Sequence, residues 1–439
     1  MSKSKYIKIE EVQVLKNRLL LSKILCSRSL ERYFQSNLFW VKYDVDIHEV
    51  NASILGIPIL FNIIAVAWVT GADIYIKELD NSFLTALNRI KAILQRWFPR
   101  FPFSTNIHVE NIVFNKVDSH IYGLLFSGGL DSTTSYIQHR NKKPNLIMIW
   151  GADIPLDRND FWRKIKTLYK KFAERADVKI NFLKSNIQEF LNVYRLDIEF
   201  SRYLEGASWW DAVQHGPFSL GICAPLTITN NIGFLLHASS FTGNYKYPQF
   251  SHPLIESKLS WAGIKIIHDG WEMSRQEKIG QVLKNYLMNN KFNFPIRVCF
   301  SQYRGLNCNK CEKCYRTITG LVLENIDPNK YGFHISSDFF AFLKRYLLET
   351  KILVSHENMN FLWNDIKSHI PENFSHNLHH SKEFFNWFRE FDISLRKNRS
   401  VNPFWFLFRI YCKFPIRLQT LLKRLEHSFE SVRLDFSIV

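Results

Sequence analysis

The chain has 439 residues, 46% hydrophobic and 22% charged. That is long and apolar enough for two or three domains with real cores, and it excludes a disordered polymer. A formal charge of +17 points to anionic partners such as nucleotides, nucleic acid or an acidic protein, although no long basic run concentrates it.

The N-terminus, MSKSKYIKIEEVQVL, has no apolar signal core, so a cytoplasmic protein is expected. Its seven cysteines should then stay reduced unless they bind metal. Phe39–Ile47 alternates like an edge strand. Ile54–Val69 is strongly apolar but short for a membrane span and carries Pro58 and Asn62. A buried core helix over 57–69 is expected there, and no membrane span. Ser82–Trp97 reads as a helix with Leu84, Leu87, Ile90, Ile93 and Leu94 on one face. Residues 1–115 thus form an N-terminal α+β region without a catalytic signature.

Residues 116–335 read differently. Strand Ile121–Phe126 breaks at Ser127-Gly128-Gly129-Leu130-Asp131-Ser132 and passes into a helix over 132–138. A strand, a glycine turn and a helix start make an anion cradle, because amides without helical partners point outward and the dipole favours negative charge. Glycines at 128 and 129 let the main chain approach the anion closely. Ser127 and Ser132 add hydroxyls, and Asp131 makes sense there if it holds Mg²⁺. No Gly-Lys-Ser/Thr follows, so this is not a Walker loop.

Strands and helices then alternate. Asn145–Trp150 and Val178–Leu183 read as strands, Phe161–Ala176 and Ile187–Val193 as helices. Phe218–Leu236 reads as mostly helical, with a strand from Leu235. Ile264–Ile267 is a further strand. The alternation predicts an α/β fold with a doubly wound parallel sheet, whose ligands sit beyond the carboxyl ends of the strands. Gly151 and Asp153 then lie near adenine or ribose, or simply form a turn. The polar loop 242–253 reads as substrate-contacting, with Gly243, Asn244 and Tyr247 as its named contacts. Ser274 reads as a helix N-cap with Glu277 closing a capping box. Arg275 and Lys278 share a face there, where they would hold a leaving pyrophosphate or else be solvated.

Cys299, Cys308, Cys311 and Cys314 follow a C-x8-C-x2-C-x2-C spacing. Four thiolates in so short a run favour tetrahedral Zn²⁺ over a redox dithiol or an iron–sulfur cluster. Lys310 and Lys313 would offset the thiolate charge. Cys26, Cys223 and Cys412 read as core. Beyond 335 the chain turns helical and aromatic-rich, as in 339–348, 384–391 and 404–414. His376, His379 and His380 read as surface histidines without carboxylates nearby.

The SGGLDS turn resembles the pyrophosphate (PP) loop of the ATP-pyrophosphatase superfamily, whose adenine nucleotide alpha hydrolase-like sheet is of this doubly wound type. Paired with the cysteine run, it resembles the 7-cyano-7-deazaguanine synthase (QueC) family over residues 115–330. The layout is similar to QueC-like proteins of bacterial anti-phage clusters, the Qat type among them. The resemblance implies that Ser127, Gly128, Gly129, Leu130, Asp131 and Ser132 bind ATP and that the four cysteines bind zinc. It implies adenylation of a deazaguanine-like carboxylate, then an amide, nitrile or conjugate with ammonia or a protein amine; Asp131 and Ser132 of the turn, with Arg275 and Lys278 from the helix start, are the expected catalytic residues. Where the family carries Gly-Tyr-Pro-Asp-Cys-Arg, this chain reads Lys246-Tyr247-Pro248-Gln249-Phe250-Ser251, without the acidic and basic substrate contacts. Two other readings remain open. One is a tRNA-modifying thiolase or lysidine-type enzyme, with Cys223 the only persulfide candidate. The other is a nucleotide-gated, non-catalytic subunit of a defence assembly docking through its aromatic C-terminal region, 336–439.

Overall fold

A computed structural model describes residues 5–204, 208–243, 248–290, 294–299, 305–349, 357–376 and 378–393. Ten strands form one sheet: β1 (Tyr6–Leu15), β2 (Leu19–Cys26), β3 (Leu38–Lys42), β4 (Asp73–Asp80), β5 (Ile107–Val113), β6 (Ile121–Leu125), β7 (Asn145–Trp150), β8 (Ile180–Ser185), β9 (Ile232–Ala238) and β10 (Lys265–Asp269). Their order is β10-β9-β6-β7-β8-β3-β2-β1-β4-β5. From β10 to β8 every neighbour is parallel. β3, β2 and β1 join antiparallel, and β4 and β5 add a second parallel block running the other way. The fold is therefore α/β with a mostly parallel sheet, and residues 6–113 supply half of its strands.

Within the first block the chain starts at β6, steps outward to β7 and β8, then returns to β9 and β10 on the other side. Strand order thus reverses between β6 and β9, and the crevice at such a reversal is where α/β sheets take ligands. Strand alternation divides the interior into two cores. Leu125, Ile147, Leu183 and Leu235 face one, whereas Leu124, Phe126, Leu146, Met148 and Leu236 face the other.

The first core is built on the helix Ile57–Thr70, all of whose residues are buried. Phe61 packs on Phe218 at 5.8 Å, and the Tyr43 hydroxyl donates to the Ile222 carbonyl at 2.8 Å. Buried Asp80 accepts from Phe83 N, capping the helix Asn81–Trp97, and from Ala262 N at the approach to β10. Short polar links thus tie the N-terminal strands to the parallel block. The second core holds the helix Asn159–Ala176, whose Trp162, Ile165, Tyr169 and Phe172 form one apolar stripe. Trp150 stacks on Trp162 at 5.5 Å and Phe126 on Phe172 at 5.5 Å. The helices Glu312–Leu323, Phe339–Glu349, Glu357–Ser368 and Ser381–Glu390 close this side.

Two sequence expectations change. The 39–47 segment is not an edge, since β3 lies inside the sheet between β8 and β2. Alternation reports a half-buried face and is silent on how many neighbours a strand pairs with. The expected helix over 218–236 resolves into helices His215–Gly221 and Ala224–Thr229, followed by β9 from Ile232. The break is Asn230-Asn231, with Asn231 in the left-handed region at φ 50°. β9 is apolar on both faces, so periodicity alone does not separate it from a buried helix. No helix among the described residues is long and apolar enough to cross a membrane.

Candidate functional site

β6 delivers the chain into the glycine turn at the strand reversal. Gly128 adopts φ +73°, and a Cβ there would lie 2.0 Å from the Tyr169 hydroxyl oxygen. Its carbonyl accepts from Arg297 N at 2.7 Å and from the Tyr169 hydroxyl at 3.1 Å. Only glycine fits that clamp. Gly129 caps the helix Leu130–His139 without any side-chain cap. Amides of its first turn have no acceptor within the helix, which favours an anion in front of them. Ser127 Oγ accepts from Gly129 N at 3.2 Å and lies 3.3 Å from Ser132 Oγ.

The turn opens on a cleft of ≈ 170 Å³. Ser127, Gly129, Leu130, Asp131, Ser132, Asp153 and Arg275 line it, as do His215, His237, Ser240, Arg297 and Lys313. Gly128 stands behind the turn against Tyr169. Gly151 is absent from the walls, and its missing Cβ admits the Ser185 carbonyl, which would otherwise lie 1.8 Å away. Lys278 is buried behind Asp131, and its Nζ donates to Ser239 O at 2.6 Å. Gly243 packs under Trp271, to whose carbonyl its N–H donates at 2.9 Å. Asn244 and Tyr247 lie outside the described residues, as does the 404–414 segment.

The capping box at Ser274 and Glu277 is present and starts the helix that carries both cations. Arg275 Nη1 stands 3.4 Å from Asp131 Oδ2, which also accepts from Ser240 Oγ at 3.2 Å. Asp131 Oδ1 is buried and has no hydrogen-bond partner. Burial would push the Asp131 carboxyl up, but Arg275, Lys278, Arg316 and Lys313 together hold it below the usual range. An ionised carboxylate with one oxygen left open at an anion cradle fits a Mg²⁺ ligand. Asp153 accepts from His215 Nε2 at 3.0 Å and lies 3.9 Å from Arg297. Against the burial that raises it, these partners bring its carboxyl far down, while His215 is pushed up chiefly by Asp153 against its own desolvation.

The four cysteines converge beside this cleft, with all four sulfurs within 4.8 Å of one another. Cys299–Cys311, Cys308–Cys314 and Cys311–Cys314 are 3.8, 3.9 and 3.5 Å apart. Sulfurs at Zn–S distances around one tetrahedral ion would lie about 3.8 Å apart, far beyond a disulfide. The group fits a thiolate-bound metal. Cys299 itself lines the cleft, and the helix Glu312–Leu323 starts between Cys311 and Cys314. Lys313, expected to serve only the thiolates, also reaches the cleft wall; burial brings it down to about 8, with Asp153 opposing that fall.

Below the cleft lies a fully buried carboxylate, Glu256. Glu256 accepts from His237 Nδ1 at 2.9 Å, His268 Nδ1 at 2.7 Å and Ser251 Oγ at 2.8 Å. Although burial opposes it, His237 and His268 keep this carboxyl strongly depressed. At the surface, His379 and His380 do meet carboxylates, Asp338 at 3.7 Å and Glu383 at 3.0 Å, contrary to expectation. Comparison with protein-family models, curated proteins and solved structures returns no match. The site is therefore read from its own chemistry.

Sequence reasoning missed His215, His237, Ser240 and Arg297. Three of them sit at strand ends or one helix start, and no local spacing marks them. Arg297 had a signal, being a cation two residues before Cys299. Cys223 is fully buried, its thiol pushed well up by desolvation, and its Sγ donates to Ser219 O at 3.3 Å. That environment leaves it no route to act as a persulfide carrier.

Proposed function

We propose that the protein is an ATP-dependent ligase that adenylates a substrate carboxylate and releases pyrophosphate. The reading is carried by the glycine turn at the strand reversal, with Asp131 kept ionised and one of its oxygens left open. The amides and hydroxyls of 127–132 bind the β and γ phosphates. Asp131 holds Mg²⁺, which supplies charge neutralisation on the bridging oxygen when bound. Arg275 and the first-turn amides stabilise the diphosphate as it departs, each such donor being worth about 3 kcal/mol. Buried Lys278 keeps Asp131 anionic from behind. The cysteines hold zinc.

The acid is deazaguanine-like by the family resemblance, and the nucleophile that follows is ammonia or a protein amine. An amide, a nitrile after a second adenylation, or a protein conjugate results, in the setting of anti-phage defence. Mass spectrometry of ATP with 7-carboxy-7-deazaguanine, with and without ammonium and candidate protein partners, tests this. The expected products are AMP and pyrophosphate in step with an amide or nitrile. ADP and phosphate would overturn the reading, and AMP retained without turnover would point to a nucleotide-gated subunit instead.

A further inference from the structure

Among the segments that line the cleft, two carry its cations. One is the glycine turn with Arg275. The other is the cysteine module, which contributes Arg297 and Lys313. Arg297 lies two residues before Cys299, and Lys313 lies between Cys311 and Cys314. Arg297 is 6% exposed and its Nε is buried with no hydrogen-bond partner. Its backbone N–H is the one that clamps the Gly128 carbonyl. Asn307, next to Cys308, accepts from Val298 N at 2.9 Å and Cys299 N at 3.2 Å, and its amide donates to Ile296 O at 2.7 Å. The extended segment bearing Arg297 is thus braced by the segment bearing Cys308.

We infer that the metal module is part of the diphosphate site: Arg297 and Lys313 are its second cationic wall, and they reach the anion only while the four cysteines are gathered on one ion. This rests on the reading of the cleft as a diphosphate site. It goes beyond a zinc that merely stabilises the fold, because the ion then couples thermodynamically to the ligand. A ligand that binds better to the metal-loaded form must raise metal affinity by the same factor.

The test uses inorganic pyrophosphate and the full chain loaded with Co²⁺, whose thiolate charge-transfer band reports on the cysteines. Pyrophosphate should bind by calorimetry and shift that band. Lys313→Met and Arg297→Met should each weaken pyrophosphate binding by about tenfold to a hundredfold, the range for a charge-assisted contact. Lys313→Arg should restore most of the affinity, which a purely structural role would not require. Pyrophosphate should also slow removal of the metal by a chelator. Binding with an unmoved band and an unchanged Lys313→Met affinity would overturn the inference while leaving the cleft a diphosphate site. No pyrophosphate binding by the loaded wild type would overturn the reading on which it rests.

Discussion

Two carboxylates sit beneath neighbouring strand ends, Glu256 fully buried and Asp131 half-buried, and meet opposite fates. Glu256 spends its oxygens on His237, His268 and Ser251. Asp131 stands beside the glycine turn among cations, and its Oδ1 has no partner in the protein. Both carboxyls are held ionised, so charge state does not distinguish them. Satisfaction does. A closed network clasps β9, β10 and the 251–256 segment, whereas an open oxygen carries a desolvation cost that a ligand can offset. The comparison separates a carboxylate satisfied within the fold from one with an oxygen left open at the cleft.

The largest effect that follows is on turnover. Asp131→Ala should cut pyrophosphate release by about a hundredfold or more while leaving the metal content of the protein unchanged. Normal turnover in that variant, followed by a pyrophosphate-coupled assay, would remove Asp131 from the chemistry. Glu256→Gln should do the reverse. Breaking one partner of a buried charged network costs about 3–5 kcal/mol, to be read as a lowered urea midpoint. Equal stability losses in the two variants would erase the distinction between them.

The turn itself comes next. Gly128→Ala places a methyl on the Tyr169 hydroxyl at a positive φ and should cost about 1–3 kcal/mol of stability together with nucleotide affinity. A third, half-buried carboxylate sharpens the comparison with the smallest effect. Asp197 accepts from Trp209 N, and burial, aided by Asp211, pushes its carboxyl up to about 6 despite that bond. Its folded value exceeds the unfolded one, so between the two the folded state binds more protons. Stability from this group should rise as pH falls from about 6 towards 4 and be lost as pH climbs back through 6. Asp197→Asn should flatten that slope in a pH series of denaturant titrations.

The same contrast explains what could be read in advance. The glycine turn, the cysteine run and the Ser274 capping box are local patterns, each complete within some sixteen residues, and the structure assembles all three. Strand β7 was legible because its apolar run is short and bounded by Pro144 and Gly151. The Glu256 clasp joins residues from 237 to 268 across two strands, and Arg297 meets Gly128 across 169 positions of sequence; neither leaves a spacing to find. The internal place of β3 was hidden for the same reason, since pairing partners are chosen by tertiary packing. The cations show the limit most clearly. Arg275 and Lys278 look equivalent along one helix turn, yet one lines the cleft and the other is sealed behind Asp131.

The most direct test of the central claim is a crystal of the protein soaked with Mg²⁺ and a non-hydrolysable ATP analogue. The β and γ phosphates should rest on the amides between Ser127 and Ser132, with the cation on the free oxygen of Asp131. A nucleotide bound elsewhere, or phosphates turned away from an empty glycine loop, would contradict it.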